Sequence, residues 1–447
     1  MHLDQSRSVP RLLSAALGVV LALALALTAA PAEAANRVTP RNFTGYGFDQ
    51  CLAPSQRAMD AWLTSSPFWA VGIYISGDSR FCRDQPNLTP EWVSTQLASG
   101  WRLLPITLGP QAWCTTRDRY RKQVRINPDP TGRYAKAAAQ GRAEAVKAVD
   151  AATSLGIARR STLWYDIEAF DIKPRDCRES ALTFLSEWTN QLHDLGYVSG
   201  VYSSAGSGIK MLDDAQTNRP GRYAMPDQIW VARWSGVPGR INDASNTYLR
   251  DSSWMPHRRV HQYLGGHNET HGGVTINIDS NWLDLGRGTR VRKEPAHCGG
   301  VPINFGVYRA LRPGRTGALV KAAQCVLREK RLYDGRITGV YDARLGDAVR
   351  KYRVANRLGN NPNLSRRTWT KLLSQGSTPL LKYGAGSAAV RRVQRGLNAA
   401  DSARLAVTGI FEATTTGAVK QYQRDHGLPA TVVVTEDLWA LLQSGTR

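Results

Sequence analysis

Short apolar runs alternate with helix-length amphipathic stretches between Phe43 and Leu285. Eight of these runs have the length and apolar content of buried strands: Gly45–Asp49, Trp69–Ile75, Arg102–Leu108, Thr162–Glu168, Ser199–Ser203, Gln228–Trp234, Arg259–Leu264 and Val274–Trp282. Helical stretches separate the first strands, at Gln56–Thr64, Pro90–Ser99, Thr131–Leu155 and Glu179–Leu195. Parallel βα units over about 240 residues predict an α/β fold, a (β/α)8 barrel of the TIM type, at residues 40–286. Little helical pattern follows the sixth strand, so we expect the barrel to be irregular there.

The C-terminal third of the chain repeats itself once, at a fixed spacing and without a gap. Apolar positions within each copy have helical spacing, and a Thr-Gly turn separates the first two predicted helices. Matching pairs include Val320 and Val390, Gln324 and Gln394, Leu327 and Leu397, Tyr341 and Phe411, and Trp369 and Trp439. The pattern predicts two small helical modules, repeat 1 at 306–376 and repeat 2 at 377–447. A linker rich in Arg, Gly and Pro precedes them at 287–305.

Two carboxylates, Asp166 and Glu168, end the fourth predicted strand. Because strand side chains alternate, they share one face with Trp164. Glycoside hydrolysis needs such a pair, one acid to protonate the leaving oxygen and one group to stabilise or attack the cationic sugar. A strand that runs into a polar loop is the simpler alternative for the pair alone.

Further polar and aromatic residues lie on other predicted strands. Asp49 ends strand 1 and Asp279 lies on strand 8. Aromatic rings stack on sugars, so we expect a sugar cleft at the strand ends, although core packing would explain each ring separately. The remaining candidates for this cleft are Tyr74, Ser76, Trp164, Tyr202, Trp234, Gln262, Tyr263 and Asn281.

The N-terminal segment 1–34 has the composition of a secretory signal peptide. Arg7 and Arg11 precede the apolar stretch Leu12–Ala30, and Ala32-Glu33-Ala34 provides a small-residue cleavage site. An uncleaved membrane anchor is the alternative, and the cleavage site and the lack of another such stretch argue against it. We expect a secreted, extracellular or wall-associated protein with no membrane anchor after cleavage.

Charge and cysteine content fit an exported protein. The six cysteines and the absence of a Cys-x-x-Cys pair favour disulfides, without choosing among the possible connectivities. A net charge of +22 attracts polyanions such as nucleic acid, acidic lipids or the carboxylate- and phosphate-rich polymers of a bacterial wall. Exported proteins rarely meet nucleic acid, so we expect none as a partner. A basic surface without any partner is the alternative.

Four histidines form two i, i+4 pairs, His257 with His261 and His267 with His271. This spacing suits metal ligands on a helix, but the neighbouring Gly265-Gly266 pair argues against a helix. We expect a polar loop near the substrate rather than a metal site, no cofactor, and a monomer.

The repeats resemble the three-helix peptidoglycan-binding domain. The family pattern is found best in repeat 2, which also keeps Gly384, Ala418-Val419, Tyr422-Gln423 and Gly427-Leu428. Asn361-Pro362-Asn363 and Ala430-Thr431-Val432 replace the family's second Asp-Gly turn. The resemblance implies binding to peptidoglycan or another wall polysaccharide, mainly by repeat 2, and a Cys298–Cys325 bond that fastens the linker to repeat 1.

The barrel resembles a family of exported glycoside-hydrolase-like domains and, more distantly, the family 25 lysozymes. The resemblance rests on Gly47-Phe-Asp49-x-Cys51, Leu88-Thr-x-x-Trp92-Val, Tyr165-Asp-Ile-Glu168, Gly196-Tyr-x-x-Gly200-Val-Tyr-Ser-Ser204 and Trp230-Val-Ala-Arg-Trp234. It implies that Glu168 is the general acid, Asp166 its partner, and Asp49 and Asp279 supporting acids. His261 replaces the family's Trp before Gln262-Tyr263.

The two domains together imply a secreted, wall-targeted glycosidase, similar to a lysozyme. A barrel that binds wall glycan without cleaving it is the alternative. We expect Glu168 to have a raised pKa and Asp166 to stay ionised. The cysteines that follow neighbouring strands would pair as Cys51–Cys82 and Cys114–Cys177.

Overall fold

The computed structural model describes residues 1–2, 36–241 and 247–447. The apolar part and the cleavage site of the predicted signal peptide lie outside these residues. Among the helices that are described, none has the length and hydropathy that a membrane crossing requires.

Eight strands close into a barrel in chain order, which confirms the TIM-type architecture. The strands are β1 Phe43–Asp49, β2 Ala70–Ser76, β3 Arg102–Thr107, β4 Thr162–Asp166, β5 Val198–Ser204, β6 Gln228–Ala232, β7 Arg258–His271 and β8 Val274–Leu285. The helices around the barrel are α1 Gln56–Ser65, α2 Pro90–Ser99, α3 Asp118–Arg121, α4 Thr131–Ser154, α5 Arg175–Asp194 and α6 Lys210–Asn218. No helix lies between β6 and β7 in the described residues, as the weak periodicity there predicts.

The last strand differs from a regular (β/α)8 barrel because β8 runs antiparallel to both β7 and β1. A tight hairpin turn at Gly272-Gly273 reverses the chain, and both glycines have positive φ, as this kind of turn requires. Both strands extend beyond their predicted bounds to build the hairpin. The expectation of parallel units therefore fails at β8.

Large side chains fill the barrel interior below its mouth. Trp164 on β4 and Trp230 on β6 meet edge to face, with ring centroids 5.5 Å apart, and both are buried. Gly200 on β5 makes room for the Trp164 ring, since a Cβ there would collide with it. This aromatic layer supports the next layer of side chains, which forms the mouth.

Each repeat consists of three helices around its own apolar core. Repeat 1 contains α7 Ala318–Glu329, α8 Ala343–Ala355 and α9 Arg366–Ser374, and repeat 2 contains α10 Ala388–Ala400, α11 Ala413–Asp425 and α12 Glu436–Ser444. Corresponding helices start at matched positions of the two copies. The matched glutamines Gln324 and Gln394 are buried, and each bonds the backbone of its own Thr-Gly turn. The shared pattern therefore encodes the fold of the module.

Repeat 2 packs against the end of the barrel opposite the mouth. Lys382 is buried, and its ammonium donates hydrogen bonds to the carbonyls of Leu63, Ser66 and Phe68, at 2.7, 3.2 and 2.7 Å. The next ring, Tyr383, lies against Trp282 with centroids 5.1 Å apart. Residues Arg37–Arg447 accordingly form one compact unit.

Candidate active site

A cavity of about 150 Å³ opens at the carboxyl ends of the parallel strands. Four carboxylates line it, Asp49, Asp166, Glu168 and Asp279, which is the convergence that the sequence predicts. The other lining residues are Gln50, Cys51, Tyr74, Arg80, Phe81, Cys82, Leu108, Arg119 and Tyr120.

Gln111 fixes the end of β4 where the first two acids lie. Its side-chain Nε2 donates to the carbonyl of Asp166 at 2.8 Å, and its Oε1 accepts from the backbone N–H of Glu168 at 2.7 Å. Gln111 is itself buried, so the two acids are attached to a rigid turn. The sequence does not reveal the role of this residue, because an amide in a loop carries no motif.

The two acids of this pair have different surroundings. Asp166 is only 2% exposed; its Oδ2 accepts a long, 3.4 Å bond from the Tyr74 hydroxyl, and no described donor reaches Oδ1. The Glu168 side chain is 20% exposed, lies 3.2 Å from the Arg117 guanidinium, and accepts from the Tyr120 hydroxyl at 3.4 Å. Glu168 is therefore the member of the pair that a substrate in the cavity can reach.

The second pair of acids lies across the barrel. Asp49 accepts a 2.6 Å hydrogen bond from Asn281 Nδ2, and Asp279 accepts one from Gln262 Nε2 at 3.1 Å. Asp279 pairs in register with Asp49, so it reaches the mouth although β8 is reversed. The Tyr202 hydroxyl and the Trp234 indole N–H both donate to Gln262 Oε1, at 3.0 and 3.1 Å. These bonds orient the amide so that its N–H groups face the acids.

Burial, together with repulsion between neighbouring acids, raises the pKa values of Asp49 and Asp166. Burial, and then the charge of Asp279, raise the pKa of Asp49 to about 8. Burial, followed by the charges of Glu168 and Asp49, raises the pKa of Asp166 well above its usual range. The expectation that Asp166 stays ionised is therefore wrong, because the strand end is buried more deeply than its position before a loop suggests. Burial also raises the pKa of Asp279.

Tyr74 lines the cavity, whereas the other predicted sugar contacts are not among its described lining residues. Trp164 is fully buried in the aromatic layer beneath it. Tyr263 follows Gln262 on β7 and therefore faces the other side of the sheet, where it is 8% exposed. Ser76 is also buried and is hydrogen-bonded to Thr107 at 2.7 Å. Trp234 remains at the rim, 67% exposed, while its indole N–H holds Gln262.

Loops supply cavity residues that the strand pattern does not reveal. Phe81 is 81% exposed beside Cys82, and the Arg119 guanidinium lies 5.4 Å from its ring centroid. Arg80 and Tyr120 also line the cavity. The basic run from Arg117 to Arg125 is visible in the sequence and could have indicated a charged loop after β3.

The paired histidines serve the hairpin and its surroundings. His267 and His271 lie on the extension of β7, and Glu269 bridges them through contacts of 2.9 and 2.8 Å. His261 contacts the carbonyls of Gly239 and Arg233. The prediction of a polar loop is wrong for His267 and His271, because the Gly272-Gly273 turn makes this region one strand of a hairpin.

All three disulfides have the predicted pairing. Cys51–Cys82 joins two loops at the mouth of the barrel, Cys114–Cys177 joins the loop after β3 to the first turn of α5, and Cys298–Cys325 joins the linker to α7. The first bond places Cys82, and with it Phe81, on the cavity wall.

The comparisons with known proteins give two family matches. A family model described as an Rv2525c-like, glycoside hydrolase-like domain matches residues 60–283, and one described as a putative peptidoglycan binding domain matches residues 386–442. A search of curated proteins gave no match.

Remote structural similarities extend over about half of the chain. The Mycobacterium tuberculosis Tat-secreted protein Rv2525c is 13% identical, over 55% of this chain and 97% of its own, with a TM-score of 0.35. The Clostridium perfringens spore cortex lytic enzyme SleM is 13% identical, over 54% of this chain and 67% of its own, with a TM-score of 0.36. An uncharacterized B. stearothermophilus protein is 17% identical, over 54% and 95% of the two chains, with a TM-score of 0.33.

The matched domains and the disulfides indicate where the protein is located and which family it belongs to. A peptidoglycan-binding domain and three disulfides agree with an extracellular or wall location. The barrel match spans half of the 447 residues. The chain therefore belongs to the Rv2525c-like glycoside hydrolase-like family and carries a peptidoglycan-binding domain behind its barrel.

Proposed function

We propose that the barrel is an active glycoside hydrolase that cleaves peptidoglycan or a related wall glycan. The observation that carries the proposal is the cluster of four carboxylates in one cavity, in which burial raises the pKa of Asp49 to about 8. Glycoside hydrolysis uses a pair of carboxyl groups at the scissile bond, and this cavity brings four carboxyl groups together. A structural carboxylate would be satisfied by donors, whereas no described donor reaches Oδ1 of the buried Asp166.

Glu168 acts as the general acid and then as the base. It is the acid of the β4 pair that is open to solvent, and Gln111 holds its backbone. The proton goes from Glu168 to the glycosidic oxygen as the bond breaks, and Glu168 later removes a proton from the attacking water. Arg117 and Tyr120 position the carboxyl group for both steps.

Asp166 stabilises the positive charge that develops on the sugar. Asp166 is buried, and no described donor reaches its Oδ1, so this oxygen can accept a hydrogen bond from the substrate as positive charge develops on the sugar. The family resemblance favours a substrate N-acetyl group as the internal nucleophile, which Asp166 would orient. Asn281 and Gln262 hold Asp49 and Asp279 in place by hydrogen bonds. These two acids contribute to the electrostatic potential around the sugar carbon at which the glycosidic bond breaks.

Exposed rings at the rim bind the glycan on either side of the cut. Trp234 presents apolar surface at the rim, and Phe81 presents it on the cavity wall. Arg80 and Arg119 line the cavity itself and suit a sugar that carries a carboxylate, such as a muramic acid residue.

The test is the identity of the new reducing end. Purified peptidoglycan is incubated with the protein, the products are reduced with borohydride, and mass spectrometry identifies the reduced sugar. Release of fragments that end in one kind of amino sugar, and their loss in Glu168→Gln, would support the proposal. A wild type that binds the glycan and releases nothing would instead support a binding protein.

A further inference from the structure

The two repeats share a fold but differ greatly in charge. Residues 306–376 contain 16 Lys and Arg against 4 Asp and Glu, whereas residues 377–447 contain 8 against 5. Repeat 1 therefore has a net charge of +12 and repeat 2 of +3, out of +22 for the whole chain. More than half of the excess positive charge is concentrated in one small module.

Part of this charge lies on α7, on the loops at its two ends and on the first turn of α8, at five residues that we name the basic face: Arg315, Lys321, Arg328, Arg336 and Arg344. Lys321 and Arg328 are two helical turns apart on α7 and so project from the same side. The loop between α7 and α8 connects the others. Lys321 packs over Gly339, and the side chains of Arg328 and Arg344 both reach Gly335.

Arg315 completes the basic face from the other side of the same loop. The backbone N–H of Tyr341 donates to the Arg315 carbonyl at 2.8 Å, and Thr316 pairs with Val340. All five cationic residues are exposed to solvent. Within the described part of the chain, none of them forms a salt bridge with an acid. Their charge is therefore available to a partner.

Repeat 2 shows what the same surface looks like without this charge. The matching positions of the second copy are Ala385, Arg391, Asn398, Ala406 and Thr414. The single cation among them, Arg391, is buried and donates to the carbonyl of Arg292 in the linker. The fold of the module does not require the basic face, since repeat 2 folds without it.

We propose that the basic face of repeat 1 binds a phosphodiester-linked glycopolymer of the cell wall. The proposal rests on the wall targeting in the proposed function and adds a second wall ligand, distinct from peptidoglycan. Four of the five cations are arginines, whose planar guanidinium forks match phosphate oxygens in a bidentate way. A polymer with a phosphate in every unit can engage several of them at once.

Charge composition separates this ligand from peptidoglycan itself. The peptide stems of peptidoglycan carry amines as well as carboxylates, so their net charge is low. A phosphodiester polymer carries anions only, and it would complement a surface on which no acid pairs with the cations. Repeat 2, with balanced charge, fits the neutral glycan better.

The experiment measures binding of the full mature chain to two preparations of one wall. The first retains its phosphodiester polymer, and the second has lost it to hydrofluoric acid. We expect the wild type to bind the first at least about tenfold more tightly in low salt and to lose that difference at about 1 M salt, where screening is nearly complete. The variant Arg315→Gln/Arg336→Gln/Arg344→Gln should bind both preparations equally.

A matched variant controls for total charge. Arg309→Gln/Arg357→Gln/Arg367→Gln removes three exposed cations of repeat 1 outside the basic face and should keep the preference. Equal binding of the wild type to both preparations would overturn the proposal. So would tighter binding to double-stranded DNA, or to mixed phosphatidylcholine and phosphatidylserine vesicles, than to the purified polymer. Cleavage of polymer-free peptidoglycan is measured separately, so a failure here leaves the proposed hydrolase intact.

Discussion

The two ends of the barrel bury charge in opposite ways. At the mouth, Asp166 is 2% exposed and has one long hydrogen bond, from Tyr74. At the opposite end, Lys382 is also buried, but three carbonyl oxygens accept its three N–H groups. Burial lowers the pKa of Lys382 well below its usual range and raises that of Asp166. Asp166 and Lys382 are buried to a similar depth, but they differ in hydrogen bonding: the Asp166 carboxyl group accepts one long bond, and the Lys382 ammonium donates three.

This difference distinguishes a buried charge that stabilises the fold from buried acids of the kind found at sites of chemistry. A buried ion with a full set of hydrogen bonds can hold two surfaces in register. Buried acids that repel one another and lack donors destabilise the fold, and such sites are found where chemistry needs them. Lys382 therefore joins repeat 2 to the barrel, whereas the four acids of the mouth are the groups to which our proposal assigns catalysis.

The largest expected effect concerns Asp49 at the mouth. Its folded pKa of about 8 lies above the ordinary value of 3.8, so the stability it contributes is present below pH 4 and is lost as the pH rises through 8. Asp49→Asn cannot ionise, and we expect it to stabilise the protein at pH 8 by about 2–5 kcal/mol. Denaturant unfolding from pH 4 to pH 8 measures this gain. A variant less stable than the wild type at pH 8 would contradict it.

A smaller and opposite effect on the free energy of unfolding is expected at Lys382. Lys382→Met leaves three carbonyls without donors, which we expect to destabilise the protein by about 2–4 kcal/mol. Arg312 is the equivalent residue of repeat 1 and is exposed, so Arg312→Met is the matched control and should unfold like the wild type. Thermal unfolding of both variants checks the contrast. An equal loss of thermal stability in the two variants would show that the stabilising role of Lys382 is not specific to repeat 2.

The smallest expected effects concern two aromatic rings, one at each end. Trp234→Ala removes an exposed ring at the mouth and should raise KM roughly fivefold, equivalent to about 1 kcal/mol, with little change in unfolding. Tyr383→Ala removes a ring packed against Trp282 and should lower the unfolding temperature without changing KM. Trp234→Phe, which keeps a ring but loses the bond to Gln262, separates stacking from positioning. If Trp234→Ala and Tyr383→Ala changed KM and the unfolding temperature in the same way, the two ends of the barrel would not differ in role.

The barrel could be predicted from sequence because every strand is an apolar run of its own. The reversal of β8 could not be predicted from those runs, although the Gly272-Gly273 pair between alternating residues is a hairpin signal. Side-chain alternation was enough to predict that the acids at the strand ends face the same way. Asp279 lies at the mouth because it pairs in register with Asp49. Strand position alone did not show how deeply Asp166 is buried.

Residues that act through tertiary contacts left little trace in the sequence. Lys382 occupies a position that is exposed in repeat 1, and nothing in the repeat pattern distinguishes it. The same holds for Gly384, which has the conformation of Gly314 but lies against the barrel, where a Cβ would approach the Thr44 carbonyl to 2.5 Å. Such differences depend on which surface another domain covers.

The measurement that tests the central claim most directly is the rate of reducing-end release from phosphate-free peptidoglycan at neutral pH. We expect steady release by the wild type and by Glu91→Gln, which alters an exposed acid on α2. Glu168→Gln should fold as stably, bind the glycan as well, and release reducing ends at least about 100-fold more slowly. Equal rates for Glu168→Gln and the wild type, or no release by the wild type, would contradict the assignment of the mouth as a catalytic site.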